Sequence, residues 1–288
     1  MSSTDPDGPT GEASALGAVQ APRISVVMAV LNGEPGLRRA LDSIVGQTYP
    51  GVEVVVMDGG STDGTLDIVR EYGGRIAHWE SGRDTGVFNA WNKGLDHVTG
   101  DWVCFLGADD WYADDDVMAR VAAAITADGA GHDVYYGHMD RHLANGRISH
   151  ARERGWSRAR RKQFRRGVMF PHPASFTSRA QFDAVGRFDE TFAIAGDFEH
   201  LLRILKRGSR ARFMDILVVN MTAGGISQQP ANRMRIAREV YRARYQNGVV
   251  ATPAWRSPGL YRTLAQTWMT YRVKPALRAI TARRPTRS

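Results

Sequence analysis

Apolar residues arrive in short unbroken runs, each ended by Gly, Asp, Asn or Ser. Between the runs, apolar positions recur every third or fourth residue. The first run, Ile24-Ser25-Val26-Val27-Met28-Ala29-Val30, reads as a buried strand by its length and β-branched content. Asn32-Gly33-Glu34-Pro35-Gly36 is turn chemistry. Leu37, Leu41, Ile44 and Val45 then fall at helical spacing, with Arg38, Arg39 and Asp42 facing out. Residues 52–57, 76–79 and 101–106 repeat the strand signal, and residues 65–72 and 87–97 the helical one. This alternation predicts an α/β fold, a Rossmann-like, mostly parallel sheet flanked by helices. The right-handed crossover rule leaves it few topologies. A helix over 114–127 and a strand over 134–136 follow.

Beyond Gly137 the rhythm changes. A strand is expected at 174–177, a helical stripe at Leu201, Leu202, Ile204 and Leu205, and a strand at 212–220. Two basic amphipathic helices, 231–246 and 260–280, end the chain. The expected division is a tail (1–22), a nucleotide-binding half (23–137), an acceptor-facing half (138–230) and a basic helical extension (231–288). The two halves are expected to form one unit.

Charge changes this picture more than composition does. With 43% hydrophobic and 24% charged residues, the 288-residue chain is an ordinary soluble type. Its longest apolar run is too short to span a bilayer. Residues 1–22 lack Lys, Arg and an apolar stretch, and read as a disordered tail rather than a signal peptide. The single Cys104 excludes an intrachain disulfide and a Cys-based zinc site, and fits a reducing compartment. Residues 231–288 hold thirteen Lys/Arg against Glu239 alone, a net +12 within an overall +8, so the rest is near −4. A mildly acidic body with a basic tail suits docking on an anionic surface or acceptor.

Two runs deliver carboxylates to their ends: Asp58 after 53–57, and Asp109-Asp110 after 102–106. In open α/β sheets ligands bind at that edge, and acids there need a cation or a ligand donor. Asp58, within Asp58-Gly59-Gly60-Ser61-Thr62-Asp63-Gly64-Thr65, suits a base N–H or a ribose hydroxyl, while Asp63 reads as a turn that caps the helix after it. Asp109 and Asp110 suit a divalent ion neutralising a diphosphate; helix capping is the plainer explanation. Asp84, Asn89, Asn92 and Lys93 line the start of a helix, as a sugar or phosphate pocket or as a solvated face. Asp197 is either an N-cap or a general base, with Glu199 beside it. His172 lies between two prolines, a setting for a rigid loop or a site residue. The basic run from Arg152 to Arg166 reads either as a contact to phosphates or a membrane or, more plainly, as solvated surface.

Together these segments resemble the inverting family 2 glycosyltransferases of the GT-A fold, above all bacterial enzymes of polysaccharide and glycolipid biosynthesis. Residues 25–34, 55–65 (VVMDGGSTDGT), 84–94 (DTGVFNAWNKG), 105–110 (FLGADD), 170–176 (FPHPASF), 186–190 (GRFDE), 195–203 (AGDFEHLLR) and 224–227 (GGIS) carry the likeness. The resemblance implies a nucleoside-diphosphate sugar held by Ala29, Val30, Asn32, Glu34 and Asp58, where Asp58 reads the base. Asp84, Asn92, Lys93, Ala108 and Asp109 complete that set. It further implies Mg²⁺ or Mn²⁺ on Asp109 and Asp110, Asp197 as the catalytic base, and His172 and Glu199 on the acceptor side. The acceptor would be a hydroxyl of a glycan, glycolipid or lipid-linked molecule.

Several positions depart from the family pattern. Gly107 replaces the first acid of its DXD motif, Val30 a frequent Thr, Gly196 the acid before the base, and Asn89 an Asp. No Gln-x-x-Arg-Trp segment follows Asp197, which argues against a processive synthase. A non-catalytic nucleotide-sugar-binding subunit is the alternative. A nucleic-acid partner is not expected, since the basic tail matches no such module. The expected location is cytoplasmic. Trp255, Tyr261, Trp268, Tyr271 and nearby arginines would either rest on an inner membrane face or cover the body.

Overall fold

The structure, a computed structural model, describes residues 21–269. The expected N-terminal tail up to residue 20, Tyr271 and the last predicted helix beyond residue 269 lie outside the described residues. Four parallel strands open the chain: β1 (Ile24–Val30), β2 (Val52–Asp58), β3 (His78–Ser81) and β4 (Trp102–Gly107). Helices α1 (Glu34–Val45), α2 (Thr65–Tyr72) and α3 (Val87–Gly94) connect them. The order β3-β2-β1-β4 steps outward twice, then returns to the far side of β1. Such a reversal opens a crevice at the carboxyl ends of the two strands where it occurs. The register sets Val30 beside Asp58, Ala29 beside Gly107 and Asp58 beside Ser81, so the strands end level in one rim.

The unbroken apolar runs are explained by burial on both faces. Val26, Met28, Val54, Val56, Cys104 and Leu106 meet Leu37 and Leu41 of α1 and Ile68 and Val69 of α2. Val27, Val55, Met57, Val103 and Phe105 meet Phe88 and Ala90 of α3. Each Val, Leu, Ile, Met or Phe among them contributes about 1.5–3 kcal/mol by leaving water.

The remaining elements are β5 (Trp111–Tyr112), α4 (Val117–Ala127), β6 (Val134–His142), β7 (Ile148–Ala151), α5 (Arg158–Arg165), β8 (Ser175–Ser178), α6 (Arg179–Val185), α7 (Gly196–Lys206), β9 (Ala211–Thr222), α8 (Arg233–Gln246) and α9 (Pro258–Trp268). β8 lies antiparallel beside β4, β6 antiparallel beside β8, and β9 parallel to β6. β5 closes the edge against β9, and β7 forms a hairpin with β6. The sheet is therefore parallel through its first four strands and mixed beyond them. α7 adds Phe198, Leu201 and Leu202 to the core that α3 covers.

Some boundaries move for local reasons. β3 starts at His78, not residue 76, because a 3₁₀ turn over Gly73–Arg75 holds the Ile76 N–H on the Gly73 carbonyl at 3.1 Å. α4 starts at Val117 after an Asp114 turn in which the Asp116 N–H bonds to Asp114 Oδ1 at 3.0 Å. The basic run read as solvated surface folds into α5. Ser157 caps it, and Arg160 and Phe164 are buried, Arg160 paired with Glu153 at 2.8 Å. Among the described residues, no helix is long and apolar enough to cross a membrane.

Candidate functional site

The rim begins with two loops laced together. The Asn32 N–H bonds to Ser61 Oγ at 2.7 Å, and Asn32 Oδ1 accepts from the Thr62 N–H at 2.9 Å. The Gly33 N–H reaches Thr65 Oγ1 at 2.9 Å, and Glu34 Oε2 accepts from the Gly64 N–H at 2.9 Å. Asn32 has φ 50°, a left-handed geometry that asparagine tolerates. Asp63 takes the Thr65 N–H at 3.1 Å, as the turn reading expects.

Asp58 is buried at the end of β2. Its Oδ2 accepts from Ser81 Oγ at 2.5 Å and from the N–H groups of Gly60 and Ser61 at 3.0 and 3.1 Å. Its Oδ1 has only a longer bond from Ser61, at 3.3 Å. Burial pushes this carboxyl up, but the hydrogen bonds from Ser61, Ser81 and Gly60 outweigh it and hold the group below the usual carboxylate range. Oδ1 is the atom left with spare acceptor capacity.

Beside it opens a cavity of about 570 Å³, lined by Ala29, Val30, Asn32, Ala108 and Asp109 among others. Five of the residues expected from sequence thus share one wall. Asp109 is exposed there, and its carbonyl accepts from Arg39 Nη2 at 3.0 Å and from Thr222 Oγ1 at 2.7 Å. Arg39 also lies over the Trp111 ring, 3.5 Å from its centroid, so a fixed guanidinium borders the cavity. Asp110 points inward, its Oδ1 accepting from the Thr222 N–H at 3.1 Å. Burial, with the charge of Asp109, pushes Asp110 up to about 7.

A Cβ placed on Gly107 would meet Asp110 Oδ2 at 2.9 Å and Asp109 Oδ1 at 3.3 Å. The two carboxylates therefore converge on the spot that a side chain at 107 would occupy, and glycine there leaves room for them. An exposed carboxylate backed by a buried one is a hard oxygen donor set. It fits Mg²⁺ or Mn²⁺, whose remaining ligands are phosphate oxygens and water.

Asp84 borders Asp58 from the β3–α3 loop. Its Oδ2 lies 2.7 Å from where a Gly59 Cβ would stand, and its Oδ1 accepts from the Gly86 N–H at 2.9 Å. Asn92 faces away from the cavity. It is buried, exchanges hydrogen bonds with the Phe188 backbone at 3.0 Å in both directions, and donates to Glu190 at 2.8 Å. Lys93 has only a 3.5 Å contact to the Arg83 carbonyl.

α7 meets the rim through α3. A Cβ on Gly196 would stand 2.8 Å from the Phe88 ring, so glycine permits the close approach that sets Asp197 beside the α3 N-terminus. Asp197 is half-buried and its Oδ1 accepts from the Phe198 N–H at 2.7 Å. Burial pushes it up to about 6, with the charge of Glu239 adding to the rise. The segment before it is gripped from α8: Glu239 accepts from the N–H groups of Ala193, Ile194 and Ala195 at 3.2, 2.9 and 2.9 Å. His172 and Glu199 are both buried. His172 is 6% exposed, its ring 5.2 Å from Trp91 and 5.4 Å from Phe105, and burial pushes it down to about 4. Glu199 is paired with Arg203 at 2.9 Å and accepts from Asn247 at 3.1 Å inside the core.

Three residues of this region escape the sequence pattern. Arg39 carried a helical signal for an outward face, Thr222 lay past the expected end of its strand, and Glu239 counted only as a lone acid in a basic tail. The approach of Arg39 and Thr222 to Asp109 needs tertiary structure to be seen. A second cavity lies elsewhere, at the opposite end of β9. It measures about 670 Å³, is ringed by Arg161, Arg165, Lys206 and Arg210, and contains no acid.

Comparison with known proteins agrees with this geometry. Residues 25–185 match the family described as Glycosyl transferase family 2. A PGL/p-HBAD biosynthesis glycosyltransferase of Mycobacterium tuberculosis is 35% identical over 214 residues, 72% of this chain and 80% of the relative. An uncharacterized glycosyltransferase of the same species is 32% identical over 185 residues, 64% of this chain and 69% of its own. The fold resembles S. aureus TarS 1-349 in complex with UDP-GlcNAc, with a TM-score of 0.61, 19% identity, and 86% and 73% of the two chains covered. It resembles equally the mannosyltransferase PcManGT of Pyrobaculum calidifontis, in complex with GDP-Man and Mn²⁺ (TM-score 0.59, 22% identity, 92% and 76% covered). A GT-A sheet, a carboxylate-lined crevice at its switch point and a family match over most of that sheet lead to one assignment: the chain belongs to glycosyl transferase family 2, and its reaction is glycosyl transfer.

Proposed function

We propose that the protein moves a sugar from a nucleoside-diphosphate sugar to a hydroxyl of a glycan, glycolipid or lipid-linked acceptor, in one displacement that inverts the anomeric centre. The observation that carries this reading is the shared cavity of Ala29, Val30, Asn32, Ala108 and Asp109, open beside Asp58 at the strand ends. Relatives and neighbours named for UDP-GlcNAc, GDP-Man and PGL/p-HBAD biosynthesis support the substrate class. The first half of the chain (23–137) takes the donor, and the second (138–230) faces the acceptor.

Asp58 Oδ1 accepts a base N–H, its partner oxygen being saturated by Ser81 and two backbone donors. Asp84 borders the ribose side of the pocket. Arg39, held in place by Trp111 and the Asp109 carbonyl, sets positive charge near the diphosphate. Asp109, with Asp110 behind it, would hold Mg²⁺ or Mn²⁺, which when bound neutralises the charge of the departing diphosphate. Asp197 takes the proton of the incoming hydroxyl; its raised pKa of about 6 makes it a stronger base than an ordinary aspartate while leaving it ionised at pH 7.

The test is a panel of nucleoside-diphosphate sugars with candidate acceptors, assayed for nucleoside-diphosphate release with and without Mn²⁺, followed by NMR of the product anomer. Mn²⁺-dependent release with an inverted product is expected. Donor binding without acceptor-dependent release, under any combination, would instead mark a non-catalytic donor-binding subunit.

A further inference from the structure

We propose that His78, Glu80 and His97 form a second metal site, selective for a Zn²⁺-class transition ion and separate from the Asp109 carboxylates. Strand alternation places the His78 and Glu80 side chains on the same face of β3, while Trp79 packs on the other. In register beside them on β2 are Val55 and Met57, the floor on which α3 lies. Gly94 at the end of α3 comes so close that a Cβ there would meet Val27 at 2.6 Å and Met57 at 3.2 Å. The turn that follows, with the His97 N–H on the Gly94 carbonyl at 3.0 Å, lowers His97 onto His78. The two imidazoles are stacked, centroids 3.5 Å apart and 9° from parallel.

One ligand atom from each of the three residues lies within 4.8 Å of the others, and no other such trio of His, Cys, Asp or Glu occurs among the described residues. A second observation points to a ligand. His78 Nε2 is buried without a hydrogen-bond partner, a state that few buried polar atoms are left in. Two nitrogens and one carboxylate suit Zn²⁺, Co²⁺ or Ni²⁺ and disfavour Mg²⁺, the reverse of the all-oxygen pair at Asp109. For both rings to ligate, the stack has to open by rotation about each Cβ–Cγ bond until the in-plane lone pairs converge at about 2.0–2.1 Å from the ion. Such an ion clamps the edge strand β3 to the exit of α3. β3 ends in Ser81, whose hydroxyl bonds to Asp58, so the clamp stiffens the wall of the donor cleft.

The experiment is isothermal titration of chelator-stripped, full-length protein with Zn²⁺ in the absence of nucleotide, repeated with Co²⁺ as a spectroscopic probe. One Zn²⁺ per chain at micromolar affinity or tighter is expected, with Co²⁺ ligand-field bands and no competition from excess Mg²⁺. His97→Gln and Glu80→Gln should each weaken binding by about tenfold or more. Asp109→Asn should leave the stoichiometry unchanged, and circular dichroism of the metal-free variants should match that of the parent. Failure to bind Zn²⁺, or binding that persists unaltered in folded His97→Gln and Glu80→Gln, overturns the proposal. So does loss of the site in Asp109→Asn. All of these readouts are independent of transferase activity.

Discussion

The donor rim and the start of α7 hold their acids in opposite ways. At the rim, hydrogen-bond donors come from adjacent loops: Ser61, Gly60 and Ser81 surround Asp58 and hold it below the usual carboxylate range. At α7, Asp197 has one backbone donor, that of Phe198, and burial with the Glu239 charge raises it to about 6. In the proposed mechanism the first stays charged and accepts hydrogen bonds, and the second takes a proton. In glycosyl transfer these are separate tasks, binding a donor and activating an acceptor. The strongest way to break the contrast is Asp197→Asn. Turnover should fall by about 10²–10⁴ while nucleotide affinity, measured by calorimetry, stays within error of the parent. An equal loss of affinity would mean that the two regions are not separable.

Asp109→Asn should cut the other way, weakening both turnover and Mn²⁺-dependent nucleotide binding. Loss of a metal ligand at a leaving diphosphate is worth several kcal/mol, or about 10²–10³ in kcat/KM. Retention of Mn²⁺ dependence in this variant would shift the metal role to Asp110.

Much of the rim was legible because its logic is local. A buried parallel strand announces itself as an apolar run, and the acid that follows it lies within three residues, so Asp58 and Asp109 stood out. The neighbourhood of α7 was not, because its defining contacts join distant segments. Glu239 grips residues 193–195 from more than forty positions away, and at the rim itself the crossing of Arg39 to Asp109 and Thr222 was hidden for the same reason. Asn92 shows the opposite case. Its place in a polar block suggested a ligand contact, whereas its amide is engaged with the Phe188 backbone, a pairing no spacing rule contains. Edge elements such as β5 and β7 were missed because two- and four-residue strands are set by the partner they pair with.

Glu239→Gln sharpens the contrast through pH. In the proposed mechanism Asp197 works ionised, so kcat/KM should fall about tenfold per unit as pH drops below about 6. Glu239 raises the Asp197 pKa by its charge, so neutralising it should move that acid limb to lower pH. The amide keeps one acceptor oxygen for the three N–H groups, so turnover at the optimum should fall by about tenfold or less. A limb that stays in place would mean that another group controls it.

The smallest expected effect is at Ser81→Ala, and it isolates the rim. The hydroxyl donates to Asp58 Oδ2 at 2.5 Å, and its loss leaves that oxygen with the Gly60 and Ser61 N–H groups alone. One such bond is worth about 0.5–1.5 kcal/mol net, so nucleotide affinity should weaken about two- to tenfold with kcat nearly unchanged. Because hydrogen bonding depresses the Asp58 pKa in the folded state, its stabilisation is present above the unfolded carboxylate pKa and is lost as pH falls through the lower, folded value. The melting temperature of Ser81→Ala should therefore trail the parent at pH 7 and converge with it in acid. A gap that stayed constant with pH would assign the serine to packing of β3 rather than to the charge of Asp58.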